Sequence, residues 1–241
     1  MLFNPLELSA VALSSAATSA PRLDLYSGIH KALRAAMSDA LLTLGRCDPQ
    51  DGCDLSAMAA TLRELLYFCE QHVAHEDRFM HPAIHARAPG VSDDAADEHH
   101  GHLEHIAMLR AELDALLACA PDGRDAAALS LYRRLSLFVA ENFEHMLIEE
   151  TRHNNALWAH YSDGELAALH DELIGSIPPA EMMATLRWLV PFMAHGERCA
   201  LLADMRAHAP APAFEAALGA VRPHLSLRDW DKLSRALGLA A

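Results

Sequence analysis

The chain has 241 residues, a formal net charge of −14 at pH 7 and a hydrophobic content of 52% with few aromatic residues. A chain of this length can bury a substantial core, and its richness in Ala and Leu favours helices over sheets. The excess of acidic side chains would repel nucleic acid and anionic membrane surfaces, so we expect neither as a partner. No apolar run approaches the roughly 18 residues that a membrane span needs.

The N-terminus and the cysteines bear on the cellular compartment. Residues 1–21 are predicted to form an N-terminal tail. This tail has a faint similarity to a secretion signal, but no basic residue precedes Arg22 and Glu7 interrupts the apolar run, so we expect no signal peptide. The five cysteines are odd in number and show no Cys-x-x-Cys spacing, which favours reduced thiols over disulfides. Together these features indicate a cytoplasmic protein.

Three loops divide the next part of the chain into four segments of helical length. The loops at 45–54, 86–94 and 119–125 each combine Pro or Gly with Asp, which is typical of turns. Within the segments, the core-facing positions recur at alternating steps of three and four residues, the period of one helix face. The segments are 22–45, 55–86, 94–118 and 124–160. They predict an all-α fold, with an antiparallel up-and-down four-helix bundle over residues 22–161.

The last third of the chain has a different composition. The sequences "SDGE" (162–165) and "SLRD" (226–229) have the spacing of capping boxes. Five prolines, at positions 178, 179, 210, 212 and 223, cut this region into short pieces. We therefore predict a C-terminal helical extension over residues 162–241.

Each predicted bundle helix has its apolar stripe interrupted at one level by histidine or glutamate. The interrupting residues are His30; His72 and Glu76; His99 and His102; and His145 and Glu149. Residues three or four apart share a helix face, so each pair can point to a common place in the core. Burying two ionised carboxylates would cost several kcal/mol each without compensation. A divalent cation compensates them and accepts imidazole as a ligand, so the pattern predicts a metal site.

The order of these motifs resembles that of the hemerythrin-like family, also called the HHE cation-binding domain. The sequences "HVAHE" (72–76) and "HMLIE" (145–149) both read His-x-x-x-Glu, with "HKALR" upstream of them and "DEHHGH" between them. A ferritin-like di-iron bundle would need two Glu-x-x-His motifs, and this chain has one, from Glu150 to His153. The resemblance covers about residues 22–160 and does not extend to the C-terminal third.

The resemblance implies two non-haem iron ions with an oxo or hydroxo bridge, although another divalent metal would suit the same donors. The implied ligands are His30, His72, Glu76, His99, His102, His145 and Glu149, with both glutamates bridging. With the bridge, this set fills about eleven of the twelve positions of two octahedral ions and leaves one for O2, NO or peroxide. An apolar pocket over that position would come from Leu65, Phe79, Ile106 and Phe138.

Several of these positions have competitors nearby. His75 competes with His72, His100 and His105 compete with the central pair, and Glu150 competes with Glu149. The apolar stripes select His72, His99 and His102, and Glu149 lies on the same helix face as His145. The remaining histidines near the helix ends are interpreted as surface residues or as groups behind the ligands; they are His81, His85, His153 and His160.

The function implied by the resemblance is metal binding with a small diatomic ligand, O2 or NO, in sensing, storage or transport. One alternative is an enzyme that reduces NO or peroxide, or that donates iron for the repair of metal clusters. Others are an iron store and a structural zinc bundle. The sequence contains no Ser-His-Asp order, phosphate loop or nucleotide-cofactor fingerprint, so nothing in it indicates chemistry on an organic substrate.

Overall fold

The computed structural model describes residues 22–239, which form helices and no strands. The predicted N-terminal tail and its interpretation as a segment without a signal peptide lie outside these residues, as do the last two residues of the predicted extension. The prediction of an all-helical fold is confirmed. Over residues 22–239, no helix combines the length and the apolar character that crossing a bilayer requires.

Four long helices correspond to the four predicted segments. Helix α1 is Ser27–Arg46, and helix α3 is Asp93–Ala118. Helix α2 runs without a break through Gly52–His75, a π-helical turn at Glu76–Met80, and His81–Arg87. Helix α4 likewise runs through Pro121–Ile148, a π-helical turn at Glu149–His153, and Asn154–His160.

The residues at the helix starts explain where α1 and α4 begin. Helix α1 starts later than predicted because the Asp24 carboxylate accepts hydrogen bonds from the amides of Tyr26 and Ser27. Those amides would otherwise lack partners at a helix N-terminus. Helix α4 starts earlier than predicted, at Pro121, because proline suits the first turn of a helix, where its missing amide hydrogen costs nothing.

The four long helices share one apolar core. Helix α1 packs against α2 and α4, and helix α3 also packs against α2 and α4. The core takes Leu33 from α1, Leu62 from α2, Leu109 from α3 and Leu135 from α4, each at most 1% exposed. Burying one such side chain contributes about 1.5–3 kcal/mol. The apolar stripes predicted from the sequence therefore face inward.

A second, smaller apolar cluster closes one end of the long helices. It contains Tyr26, Met80, Ile84, Leu157 and Leu166. Leu166 belongs to helix α5, Asp163–Ser176, whose start has the predicted capping box between Ser162 and Glu165. On α2 and α4, the main core precedes the predicted metal ligands and this cluster follows them, so the candidate site lies between two apolar regions.

The C-terminal helices have a core of their own. Helices α6 (Pro179–Phe192), α7 (His195–His208), α8 (Ala211–Val221) and α9 (Leu227–Leu237) surround residues such as Val190, Leu202 and Phe214. Helix α6 packs against α1. Lys31 pairs with Glu197 at 2.7 Å. The predicted helical extension therefore packs on the long helices.

The two π-helical turns lie at equivalent places, each beginning at the glutamate of a His-x-x-x-Glu motif. In α2 the turn ends two residues before Pro82, which has no amide hydrogen and whose ring would clash with the carbonyl four residues back in a regular helix. Helix α4 has no proline there, but the Asn154 side chain donates a hydrogen bond to the carbonyl of Glu150 inside the turn. Each turn adds one residue and so rotates the rest of its helix by about 100°.

Candidate metal centre

Histidine and glutamate side chains from all four long helices meet in two buried groups of candidate metal donors. The first group is His30, His72, Glu76 and Glu149, and the second is Glu76, His99, His145 and Glu149. Within each group the donor atoms lie within 4.8 Å of one another. Ligands about 2.1 Å from one ion lie no more than about 4.2 Å apart, so small side-chain movements would close either group around an ion.

Glu76 and Glu149 belong to both groups. Glu76 Oε1 lies 3.6 Å from Nε2 of His30, and its Oε2 lies 3.2 Å from Nε2 of His72. Glu149 Oε2 lies 3.5 Å from Nε2 of His30 and 3.3 Å from Nε2 of His145. Within the described residues, none of the four carboxylate oxygens has a partner in hydrogen-bond geometry, although both side chains are buried. A cation between them would supply the interaction that such groups need in a core.

Three of the imidazoles are held from behind by a second carboxylate. The contacts are His30 Nδ1 to Glu150 Oε1 at 3.1 Å, His99 Nδ1 to Asp77 Oδ1 at 2.7 Å, and His145 Nδ1 to Glu98 Oε2 at 2.7 Å. A carboxylate on Nδ1 fixes the ring orientation and leaves Nε2 as the metal donor. The sequence did not predict this role for the three carboxylates, although each directly adjoins a predicted ligand in the chain and Glu150 was considered as a ligand itself.

The competing residues point away from the shared glutamates. His75 pairs with Glu181 of helix α6 at 3.5 Å, and His105 pairs with a carboxylate of α4. His100 is 80% exposed. Glu150 lies behind an imidazole instead of between the helices. Six of the seven predicted ligand residues are therefore brought together in the two groups.

His102, the seventh predicted ligand, is buried but lies outside both groups. Its ring contacts the ring of His145 edge-on, with the centroids 4.7 Å apart. None of its atoms belongs to a donor group found among residues 22–239. It lies one turn after His99 on α3, on the side of the main core, and its Nδ1 has no hydrogen-bond partner.

A cavity of about 10 Å³ adjoins the imidazoles of His72, His99, His102 and His145. This volume is close to the least that a cavity needs to hold one water molecule. Its remaining wall is largely apolar and includes Cys69, whose thiol pKa is raised to about 12 by burial. The pocket predicted from the sequence is wrong in its residues, because none of the following lines this cavity: Leu65, Phe79, Ile106 and Phe138.

His81 and His153 are buried, with 7% and 0% of their surface exposed. His85 and His160 are exposed, as predicted. Of the two alternatives given for the first two, surface residues or groups behind the ligands, burial therefore excludes the first. His81 follows the π-helical turn of α2, which brings it back toward the core, and His153 is the last residue of the turn in α4. Pro82 beside His81 was the one sequence signal for such a turn.

Burial and the carboxylates give the imidazoles different charges. Burial opposes protonation of His30 and His145, but hydrogen bonds to nearby glutamates outweigh it and raise their pKa values to about 9 and about 10. Burial lowers the pKa of His72 to about 4. Burial and Glu76 both oppose ionisation of Glu149, yet the neighbouring imidazole of His145 lowers the pKa of that carboxyl to about 2. At neutral pH the metal-free groups thus pair ionised glutamates with two protonated imidazoles.

The family model of the hemerythrin HHE cation-binding domain matches residues 23–155, more than half of the chain. The chain belongs to this family. The match confirms the resemblance found in the motifs and agrees with the buried His/Glu groups. Comparison with curated proteins and with solved structures gave no significant match.

The carboxylates behind the imidazoles give the first prediction for this hemerythrin-family centre. We expect Glu98→Gln to lower metal affinity by about 10- to 100-fold, because His145 loses the carboxylate that orients it. Competition with a chromophoric chelator measures the affinity. Glu104→Gln is the matched control, since Glu104 lies on the same helix and pairs only with the exposed His100. Equal affinities for the two variants would contradict the role given to Glu98.

Proposed function

We propose that this protein binds a carboxylate-bridged pair of non-haem iron ions, within an antiparallel up-and-down four-helix bundle formed by residues 22–161. The observation that carries the proposal is that Glu76 and Glu149 each belong to both buried donor groups. Two ions that share two carboxylates form a bridged pair. His30 and His72 would complete one ion, and His99 and His145 the other; residues 162–241 would form a separate extension.

The donor chemistry supports iron or a similar first-row metal. Imidazole and carboxylate together suit Fe, Mn and Zn, whereas metals that prefer sulfur need a thiolate. The nearest thiol is that of Cys69, whose pKa of about 12 after burial keeps it protonated and unavailable. The carboxylates on Nδ1 of His30, His99 and His145 would hold the rings in place while Nε2 binds.

With both ions bound, the centre would supply an open coordination position for a diatomic ligand such as O2 or NO. The cavity of about 10 Å³ supports a very small ligand, because by this measure it is close to the least that one water molecule needs and far too small for an organic substrate. Its apolar wall would exclude water. His102, at the edge of the cavity, would contact the bound ligand and not the carboxylates. The proposed role of this binding is sensing, storage or transport of the diatomic ligand.

Metal content and ligand response test the proposal. Protein purified without added metal is expected to hold two iron ions per chain by elemental analysis. Addition of O2 or NO to the ferrous protein should change its optical spectrum, and the O2 change should reverse under vacuum. One zinc ion per chain without iron, or a ferrous protein with no optical response, would contradict the proposal. Continuous consumption of NO or peroxide with a reductant would identify an enzyme instead.

A further inference from the structure

The buried glutamate of α4 has a second set of histidine neighbours. While Oε2 of Glu149 faces His30 and His145, its Oε1 lies 3.8 Å from Nε2 of His99 and also 3.9 Å from both Nε2 of His81 and Nδ1 of His153. One donor atom each from His81, Glu149 and His153 lie within 4.8 Å of one another, and all three residues are buried. This third group lies beside the other two and shares only Glu149 with both of them.

The polar atoms of this group lack partners. Both ring nitrogens of His81, Nε2 of His153 and Oε1 of Glu149 are buried without hydrogen-bond geometry to any described residue. The neighbours position the rings: Asp77 Oδ1 lies 3.2 Å from Nδ1 of His81, and the Tyr26 hydroxyl lies 3.3 Å from Nδ1 of His153. All three residues thus keep at least one buried polar atom without a partner, and a cation among them would supply the missing interaction.

Helical geometry brings both imidazoles to this group, by different routes. In a regular helix His81 would lie about 180° around α2 from His72, since nine residues separate them, and it would face away from the site. The residue added at Glu76–Met80 reduces this angle to about 80°. His153 needs no such correction, because it lies four residues after Glu149 and so shares its helix face. The two imidazoles therefore approach the same oxygen of Glu149.

We propose that His81 and His153, with Glu149 as a shared ligand, hold a further divalent transition-metal ion beside the bridged pair. The proposal rests on the proposed function, because it assumes that Glu149 is already a metal ligand. Two imidazoles and one carboxylate oxygen suit Fe²⁺, Co²⁺ or Zn²⁺ and disfavour Mg²⁺ or Ca²⁺. Each of the two groups that would hold the bridged pair has two carboxylates, so this group is expected to be filled last.

Anaerobic titration of the metal-free full-length protein with Co²⁺ tests the proposal. Wild-type protein is expected to take three equivalents, the third most weakly, and the double variant His81→Gln/His153→Gln two. Glutamine keeps a polar side chain of similar size but lacks the imidazole donor. The control is His85→Gln/His160→Gln, which changes exposed histidines on the same two helices and should keep three equivalents. Circular dichroism of each metal-free variant checks that it is folded.

Two outcomes would overturn the proposal. In the first, wild type and the His81/His153 double variant take up equal amounts of Co²⁺ with equal affinities. In the second, wild type takes only two ions and the double variant weakens one of them, which assigns the histidines to the bridged pair. Either result is compatible with the proposed function if wild type binds two ions and Glu149→Gln loses them. A wild-type protein that binds no metal would contradict both the proposed function and the further metal site.

Discussion

Glu149→Gln is expected to remove at least one of the two ions of the proposed bridged pair from each chain and to weaken binding of the other more than tenfold. The carboxylate of Glu149 belongs to both groups that would hold these ions, and it is completely buried. An amide supplies one weak oxygen donor where two charged oxygens stood. Elemental analysis after gel filtration measures the loss, and Glu76→Gln should give the same result.

Thermal unfolding gives a second readout for the same variant. An ion present at about a thousand times its Kd stabilises the folded state by about 4 kcal/mol. This corresponds to roughly 10 °C in Tm for a chain of this length. A chelator should lower the Tm of wild type by that amount and leave Glu149→Gln almost unchanged. His224→Ala, an exposed change in the extension, is the control and should behave like wild type. Full metal content and an unchanged Tm in both glutamate variants would refute the site.

Metal affinity is expected to rise by about 100-fold per pH unit between pH 7 and pH 9. In the metal-free protein His30 and His145 carry protons on Nε2 below their raised pKa values of about 9 and about 10. A metal ion needs that nitrogen free, so binding releases about two protons and becomes more favourable as the pH rises. The increase should level off above about pH 10. Competition titrations at several pH values measure the slope.

The contribution of His30 can be isolated. Its strongest charge partner is Glu150, whose hydrogen bond opposes the effect of burial and keeps the pKa of His30 high. We expect Glu150→Gln to reduce the slope toward tenfold per pH unit, since one of the two protons is then lost before metal binds. His85→Gln, an exposed change, should keep the wild-type slope. A pH-independent affinity in wild type would show that the metal-free imidazoles are neutral.

Much of the fold was predictable because each long helix keeps one apolar face. The core-facing positions, among them Leu33 in α1 and Leu109 in α3, recur at steps of three and four residues. This spacing describes a regular helix packed on its neighbours. The loops were marked by Pro, Gly and Asp, which act through local backbone preference. The smaller apolar cluster was not predicted. It depends on helix α5 returning to the end of the long helices, which no local pattern encodes.

The candidate site was predictable up to the glutamates and no further along each helix. His72 with Glu76, and His145 with Glu149, obey regular helical geometry, so their spacing could be read directly. Beyond Glu76 the helix widens, and the regular period assigns His81 to the wrong face. His153 keeps the face of Glu149, four residues before it, and its sequence position alone left open whether it lies at the surface or behind the ligands.

The central histidines show a different limit. His99 and His102 lie three residues apart, close to one turn, and the sequence treats them as equals. The structure separates them because Asp77 holds the ring of His99 toward the glutamates, while His102 contacts the ring of His145 nearer the main core. Contacts between different helices decide this choice, and a single helix pattern does not contain them.

The π-helical turn of α2 positions a histidine of the site and a residue of the smaller apolar cluster at the same time. The residue added at Glu76–Met80 aims His81 at the site and, in the same rotation, turns Ile84 into the small cluster closed by α5. Deleting one residue from this turn would restore a regular helix. The resulting rotation would move His81 away from the site and Ile84 out of the apolar cluster. A change in the length of this turn would therefore alter the packing of the smaller apolar cluster and the position of His81 together.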